Sequence, residues 1–360
     1  VAELKTLAQT DPEFLSYLRG TFSRTHRALP VKSLNVSTPH ETVTFEIVPL
    51  AEIKRPSFFK LWREVFRFRN FIFVLFPLYL ILTKNAFDEV EFDPVLAILS
   101  GLGALFLALG AFLLNDYDDH IKGVDRVHPE SGSQAIQKGW VTAAATKSWA
   151  IAYLCFGFLL GVPSLWVFPE LLPVVSVPAF VAFLAWISPR LGLKYKRGAE
   201  VVVFLLFGPF LTVGYQMSIG AGFDLEAAWI GCLTGWHFVF LVQLKNFESL
   251  VVNSQVGFEN TMSFLGFERG RRVLELWWFG FVAVMAIYQW IYHSPEWFLG
   301  FVVLPLIFSL GFLISLRKLK SSVGSRVAHV VRLGRTAALL TLILWTLQTF
   351  FYWLVIEILN

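Results

Sequence analysis

From residue 68 to residue 358 the chain passes through nine apolar blocks with polar breaks between them: 68–84, 94–114, 144–163, 168–188, 199–220, 225–245, 273–293, 296–316 and 335–358. Blocks of about twenty residues match the ~30 Å hydrocarbon core of a bilayer at the ~1.5 Å rise of an α-helix. The pattern predicts an all-α, polytopic membrane protein with nine spans. Residues 1–55 read differently: "LAQTDPEFLSYLRGTFSRTHRAL" predicts a polar-to-amphipathic helix, and "ETVTFEIVPL" alternates like a short strand. They form a small aqueous extension ahead of a membrane domain at 56–360. Between the two, "SFFKLWREVFRFRNF" interleaves Lys60, Arg63, Arg67 and Arg69 with aromatic residues. This suits an interfacial helix on an anionic leaflet, and equally the basic flank of the first span.

Composition agrees with the pattern. Of 360 residues, 56% are hydrophobic and only 16% charged, too few to cover a soluble protein of this size. The mean hydropathy is +0.62. The two cysteines, Cys155 and Cys232, lie inside apolar blocks and the seven histidines have no ligand-like spacing, which excludes a disulfide framework and an obvious zinc site. A formal charge of +4, explained by loop lysines and arginines, gives no ground for a nucleic-acid partner. No cleavable signal is expected, because the first sixty residues contain no apolar core.

The basic residues are distributed unevenly between the blocks. The loops after blocks two, four, six and eight carry fifteen, and the alternate loops carry only Lys84. The positive-inside bias therefore predicts a cytoplasmic N-terminus and an external C-terminus. The long loops at 115–143 and 246–272 are on the same predicted side, where function is expected to lie.

The first of these loops opens with "LLNDYDDHIKGVDR". Asn115 and Asp119 are four residues apart and stack on one face of a continuing helix, with Asp116 beside them, and Gly123 then breaks the helix so that Asp125 can fold back. Oxygen ligands at a water-accessible mouth suit Mg2+, which takes one or two carboxylates and fills its other positions with water and phosphate. A solvated helix end would also be acidic, and the spacing alone leaves both readings open. On the same predicted side, "ISPRLGLKYKRGAE" gathers Lys194, Tyr195, Lys196 and Arg197, a cluster suited to a diphosphate but also what positive-inside bias would place there. Glu200, at the start of the next span, needs a buried partner.

The stretch "NDYDDHIKGVD" resembles the first Asp-rich motif of the UbiA superfamily of intramembrane prenyltransferases. "SQAIQKGWVT", "LKYKRGAE" and "FLLFGPFLTVGYQ" resemble most closely the branch that prenylates 1,4-dihydroxy-2-naphthoate in menaquinone synthesis. The similarity runs from about residue 68 to the C-terminus. It implies nine helices in a ring around a central cavity open to lipid, in a membrane expected to be the bacterial inner one. Asn115, Asp116 and Asp119 would hold Mg2+ against a polyprenyl diphosphate, Lys122 and Asp125 would contact the same substrate, and Lys194, Tyr195 and Lys196 would help bind or ionise it. Asp116, Asp119 and Lys194 would thus be the catalytic groups, and an electron-rich aromatic acceptor would intercept the allylic cation.

The family's second motif departs from its pattern. It calls for two aspartates four apart followed by a glycine; with Gly257 as anchor, "KNFESLVVNSQVGFENT" places Ser249 and Asn253 there. Glu248 is adjacent, and Asn246 and Asn253 offer neutral oxygens, so a second metal would be weakly held. Gln134 stands where the family usually has Arg. The sequence is thus consistent with a working transferase or with a degenerate paralogue that binds an isoprenoid lipid without turnover. A transporter or channel would place ionisable residues or broken helices within the spans, whereas the acids here sit at span ends.

Overall fold

The structure is a computed structural model that describes residues 3–36, 38–127, 132–187, 192–255, 258–322 and 324–359. In chain order its elements are β1 (Glu3–Ala8), α1 (Phe14–Arg19), β2 (His26–Leu34), β3 (Thr42–Pro49), α2 (Phe58–Val65), α3 (Ile72–Phe87), α4 (Pro94–Ile121) and α5 (Val124–Val127). Then come α6 (Ala143–Val167), α7 (Val177–Ile187), α8 (Ala199–Phe207), α9 (Pro209–Ser218), α10 (Leu225–Glu248), α11 (Leu250–Gln255), α12 (Thr261–Tyr292), α13 (Pro295–Lys318) and α14 (Ser325–Leu359). The chain divides into two compact units, one of Val1–Ile72 with Leu102–Gly161 and the other of Phe73–Gly101 with Val162–Asn360.

The first unit corrects the all-α expectation. Its N-terminal part is a three-stranded antiparallel sheet in the order β1-β3-β2. The strand expected at 42–49 forms, and its period of two buries Val43 and Phe45 against Leu7, Phe14, Tyr17 and Leu18. The long helix expected near residues 7–29 shrinks to α1. Asp11 starts a turn by accepting the Ala8 amide at 2.7 Å, and Gly20, left-handed at φ 71, ends the helix. Past this turn the chain enters β2, whose backbone polar groups are satisfied by β3 instead of by a helix.

Among the described residues eight helices are long and apolar enough to cross a membrane, and the protein is read as an integral membrane protein. Nine spans were expected; for the fourth block the described residues give an apolar helix at Leu172–Trp186, entered through a π-helical turn at Leu172–Ser176, and residues 188–191, where the block ends, lie outside the described residues.

In the second unit the fifth block is a single span, Ala199–Ser218, broken at Gly208 between α8 and α9. A side-chain carbon on Gly208 would lie 2.3 Å from the Phe204 carbonyl oxygen and 2.5 Å from that of Gly231, so only glycine allows α10 to approach this closely. Two pairs of buried amides bond to each other: Asn85 and Gln216 exchange hydrogen bonds of 2.9 and 3.0 Å, and Gln289 and Gln348 do the same. Lys84, the exception to the charge bias, is held by Asp88 at 2.7 Å and Asp224 at 2.6 Å.

Candidate functional site

The first acidic segment lies in the first unit at the C-terminal end of α4. Asn115 Nδ2 donates to Asp119 Oδ2 at 2.8 Å, as stacking one turn apart requires. Asp116, Asp119 and Asp125 are only 2%, 6% and 3% exposed, so they are not a solvated helix end. Gly123, left-handed at φ 80, stops α4 and turns the chain into α5, which buries Asp125. A side-chain carbon on Gly132 would lie 3.2 Å from Asp125 Oδ1 and 3.3 Å from Asp116 Oδ1, so the two carboxylates face one point. Lys122 continues the helical hydrogen bonding of α4 by donating its amide to the Asp118 carbonyl at 2.9 Å, and its side chain is half-buried.

Sequence reasoning missed the cation among these acids. Arg67 leaves the basic flank, and its guanidinium forms a buried ion pair with Asp116. Nη2 of Arg67 lies 2.9 Å from the same Gly132 point. Lys60, Arg63 and Arg69 are exposed, as a flank predicts, but Arg67 is turned inward. Its backbone is left-handed at φ 50, a conformation costing a non-glycine residue on the order of 1 kcal/mol, and Nε has no hydrogen-bond partner among the described residues. Burial pulls its pKa below the ordinary arginine value, while the charges of Asp119 and Asp125 oppose that shift. A guanidinium stays charged even so, and it neutralises part of the cluster. Nothing in "FRFRN" separates this arginine from its neighbours; only the fold does.

Four further side chains surround the acidic segment, none singled out as a site residue from the sequence: His120 at the end of α4, Arg126 and Gln137 in the loop beyond, and Glu41 just before β3. Gln137 Nε2 donates to Asp125 Oδ2 at 3.0 Å and lies 3.1 Å from His120 Nδ1. Arg126 donates to the His120 carbonyl at 2.8 Å and pairs with buried Glu41.

In the second unit, Lys194, Tyr195 and Lys196 lie in and just after a 3-10 turn at Leu193–Tyr195, flanked by Gly192 and Gly198, both left-handed. Tyr195 stacks on Phe258 with ring centres 4.7 Å apart, and Lys194 Nζ lies 4.8 Å from the Tyr195 ring. Lys196 is exposed. Arg197 covers the Phe264 ring at 3.7 Å and meets Glu259 at 3.4 Å. The buried Glu200 finds its partner here: Thr261 Oγ1 donates to it at 2.7 Å. The cationic cluster is thus fastened to residues 258–261, which follow the stretch read from the sequence as the second motif.

Of that motif, Asn253 is buried in α11, while Asn246 is half-buried and Glu248 pairs with Arg335 on α14 at 2.8 Å. Gly257, the anchor of the motif, lies outside the described residues. Neither acidic segment fits a divalent ion as arranged. Asp116 is matched by a guanidinium, Asn115 points a donor at Asp119, and among the described residues no three acidic, histidine or cysteine side chains converge on a metal position.

The model of the UbiA prenyltransferase family matches residues 74–333, well over half of the chain. The chain belongs to the UbiA prenyltransferase family. Solved structures agree on the fold of this UbiA-family protein. A UbiA homologue from Archaeoglobus fulgidus bound to DMAPP and Mg2+ is 15% identical, with a TM-score of 0.54, covering 77% of this chain and 98% of its own. The same homologue bound to GPP and Mg2+ gives 14% identity and a TM-score of 0.53, covering 77% and 99%. No curated protein matches the chain. The N-terminal sheet of this UbiA-family member lies outside the family match.

Proposed function

We propose that this UbiA-family protein transfers a polyprenyl group from a polyprenyl diphosphate to an aromatic acceptor of the dihydroxynaphthoate kind, within a bacterial cytoplasmic membrane, with its N-terminus inside and its C-terminus outside. The observation that carries the reading is the retained "NDYDD" segment, whose Asp116 and Asp119 are buried instead of solvated, in a chain of this family. Homologues hold DMAPP or GPP with Mg2+, which supports the choice of donor.

The chemistry asks for charge at the leaving group and dryness at the cation. The allylic C–O bond breaks with both electrons going to the diphosphate, an acceptor ring carbon bonds to the cation, and the ring then loses a proton. Lys194 and Lys196 match the diphosphate charge, and the Tyr195–Phe258 stack keeps their turn in place. Asp119 and Asp125 orient the first loop toward that substrate, with Lys122 as a further cation. A ring of helices around a lipid-open cavity, part of the same proposal, would keep water from the allylic cation. Mg2+ assistance at Asn115, Asp116, Asp119 and Asn253 would require Arg67 to leave Asp116.

A second reading, a catalytically degenerate paralogue that binds an isoprenoid lipid without turnover, is favoured by the Arg67–Asp116 pair and by Ser249 and Asn253 in place of aspartates. One experiment separates the two. Membranes containing the protein are incubated with labelled GPP or a longer polyprenyl diphosphate, Mg2+ and candidate acceptors including 1,4-dihydroxy-2-naphthoate. Prenylated product that Asp119→Ala abolishes supports the transferase; intact diphosphate in both, with retained binding, supports the second reading.

A further inference from the structure

We propose that residues 3–53 are a positioning module for the first acidic loop, holding Asp125 beside Asp116 through Leu18, His120 and Gln137. The benefit of that placement to a diphosphate rests on the function proposed above; the placement itself does not.

A chain of hydrogen bonds carries the inference. The Leu18 carbonyl, at the end of α1, lies 2.9 Å from His120 Nε2. A carbonyl can only accept, so Nε2 holds the proton and the neutral ring presents Nδ1 as an acceptor. Gln137 Nε2 meets that acceptor at 3.1 Å and donates to Asp125 Oδ2 at 3.0 Å. His120 is 2% exposed, so water is not a ready substitute for either bond. A second grip acts on the same residue: Arg126 donates to the His120 carbonyl and is paired with Glu41, which stands just before β3.

Packing adds to the attachment. At Gly123, the turn that returns the chain to Asp125, a side-chain carbon would lie 2.6 Å from Val36 Cγ1 and 2.5 Å from Arg126 Nη2. A side-chain carbon on Gly20 would lie 3.0 Å from Thr142 Cγ2, just ahead of α6. Ile121 packs on the core of the sheet, and Trp140 Nε1 donates at 3.2 Å to the carbonyl of Lys54, the residue just past the module. The loop that carries the family motif is therefore seated on a domain that the family match does not include.

The test uses the full chain in lipid nanodiscs, with hydrogen exchange of residues 115–127 and equilibrium binding of GPP as readouts. Gln137→Leu cuts the link to Asp125. His120→Asn keeps an acceptor for Gln137 and loses only the donor to Leu18. Glu41→Gln weakens the second grip. Each is expected to raise exchange at 115–127 by roughly fivefold, as loss of one buried hydrogen bond predicts, with exchange in β3 unchanged. Each should weaken GPP binding in the same order. Wild-type exchange in His120→Asn alongside faster exchange in Gln137→Leu overturns the inference, because the loop would then be held without the extension. An equal rise in β3 overturns it too, since it marks general unfolding. Failure of the wild type to bind GPP refutes the diphosphate reading, and the exchange comparison still decides this one.

Discussion

Arg67 and Asp116 form an ion pair in which both side chains are almost wholly withdrawn from solvent, at 11% and 3% exposure. An arginine from the basic flank of the first span thus occupies the acidic segment at the end of α4. Removing one partner from such a pair leaves a buried charge unmatched, typically at a cost of about 3–5 kcal/mol. Arg67→Ala is expected to lower the melting temperature of the purified protein in detergent. It should also raise affinity for Mn2+, read by electron paramagnetic resonance, since the carboxylate is released. Unchanged Mn2+ binding in the variant would show that Arg67 does not compete with a metal.

Glu200 is buried at the start of α8 and depends on the Thr261 hydroxyl. Thr261→Val preserves shape and removes the donor, so it should destabilise the protein by about 1–3 kcal/mol. Glu200→Gln combined with Thr261→Val should recover part of this loss, because the unmatched group no longer carries a charge. Thermal melts of the three variants check the order.

Tyr195 holds the cationic turn by stacking on Phe258. Such a contact contributes about 0.5–1.5 kcal/mol beyond the area it buries. Phe258→Ala should weaken GPP binding several-fold, whereas Phe258→Tyr should bind as the wild type does. Equal binding by all three would remove the turn from the site.

His293, between two spans, packs edge-on against Tyr288 and beside Tyr352. Burial pushes its pKa down from 6.5 to about 4, with Asp88 opposing. The folded state therefore keeps the ring neutral while the unfolded chain takes up a proton below about pH 6.5. Stability from this group is complete above that pH and is lost as pH falls toward 4. His293→Phe should flatten the pH dependence of the melting temperature in that window, and a slope equal to the wild type's would count against the assignment.

The spans and the acidic segment were legible because each depends on local pattern alone. Twenty apolar residues in a row have few alternatives in a bilayer, and four residues separate Asn115 from Asp119 whatever surrounds the helix. Gly123 announced its turn for the same reason. The N-terminal helix was over-extended because strand pairing outweighed a weak amphipathic signal: β2 exists through its hydrogen bonds to β3, which lie many residues away.

Sequence by itself therefore determined the membrane class, the family resemblance and the acidic stretch at the end of α4. Tertiary structure decided which charges meet. Arg67 reads like any flanking arginine until the fold brings it to Asp116, Leu18 and Glu41 lie in no motif, and nothing in "SQAIQKGWVT" marks Gln137 as the partner of Asp125. The reason is physical: a buried charge or amide is matched by whatever group the packing brings within about 3 Å, and that distance is independent of separation along the chain.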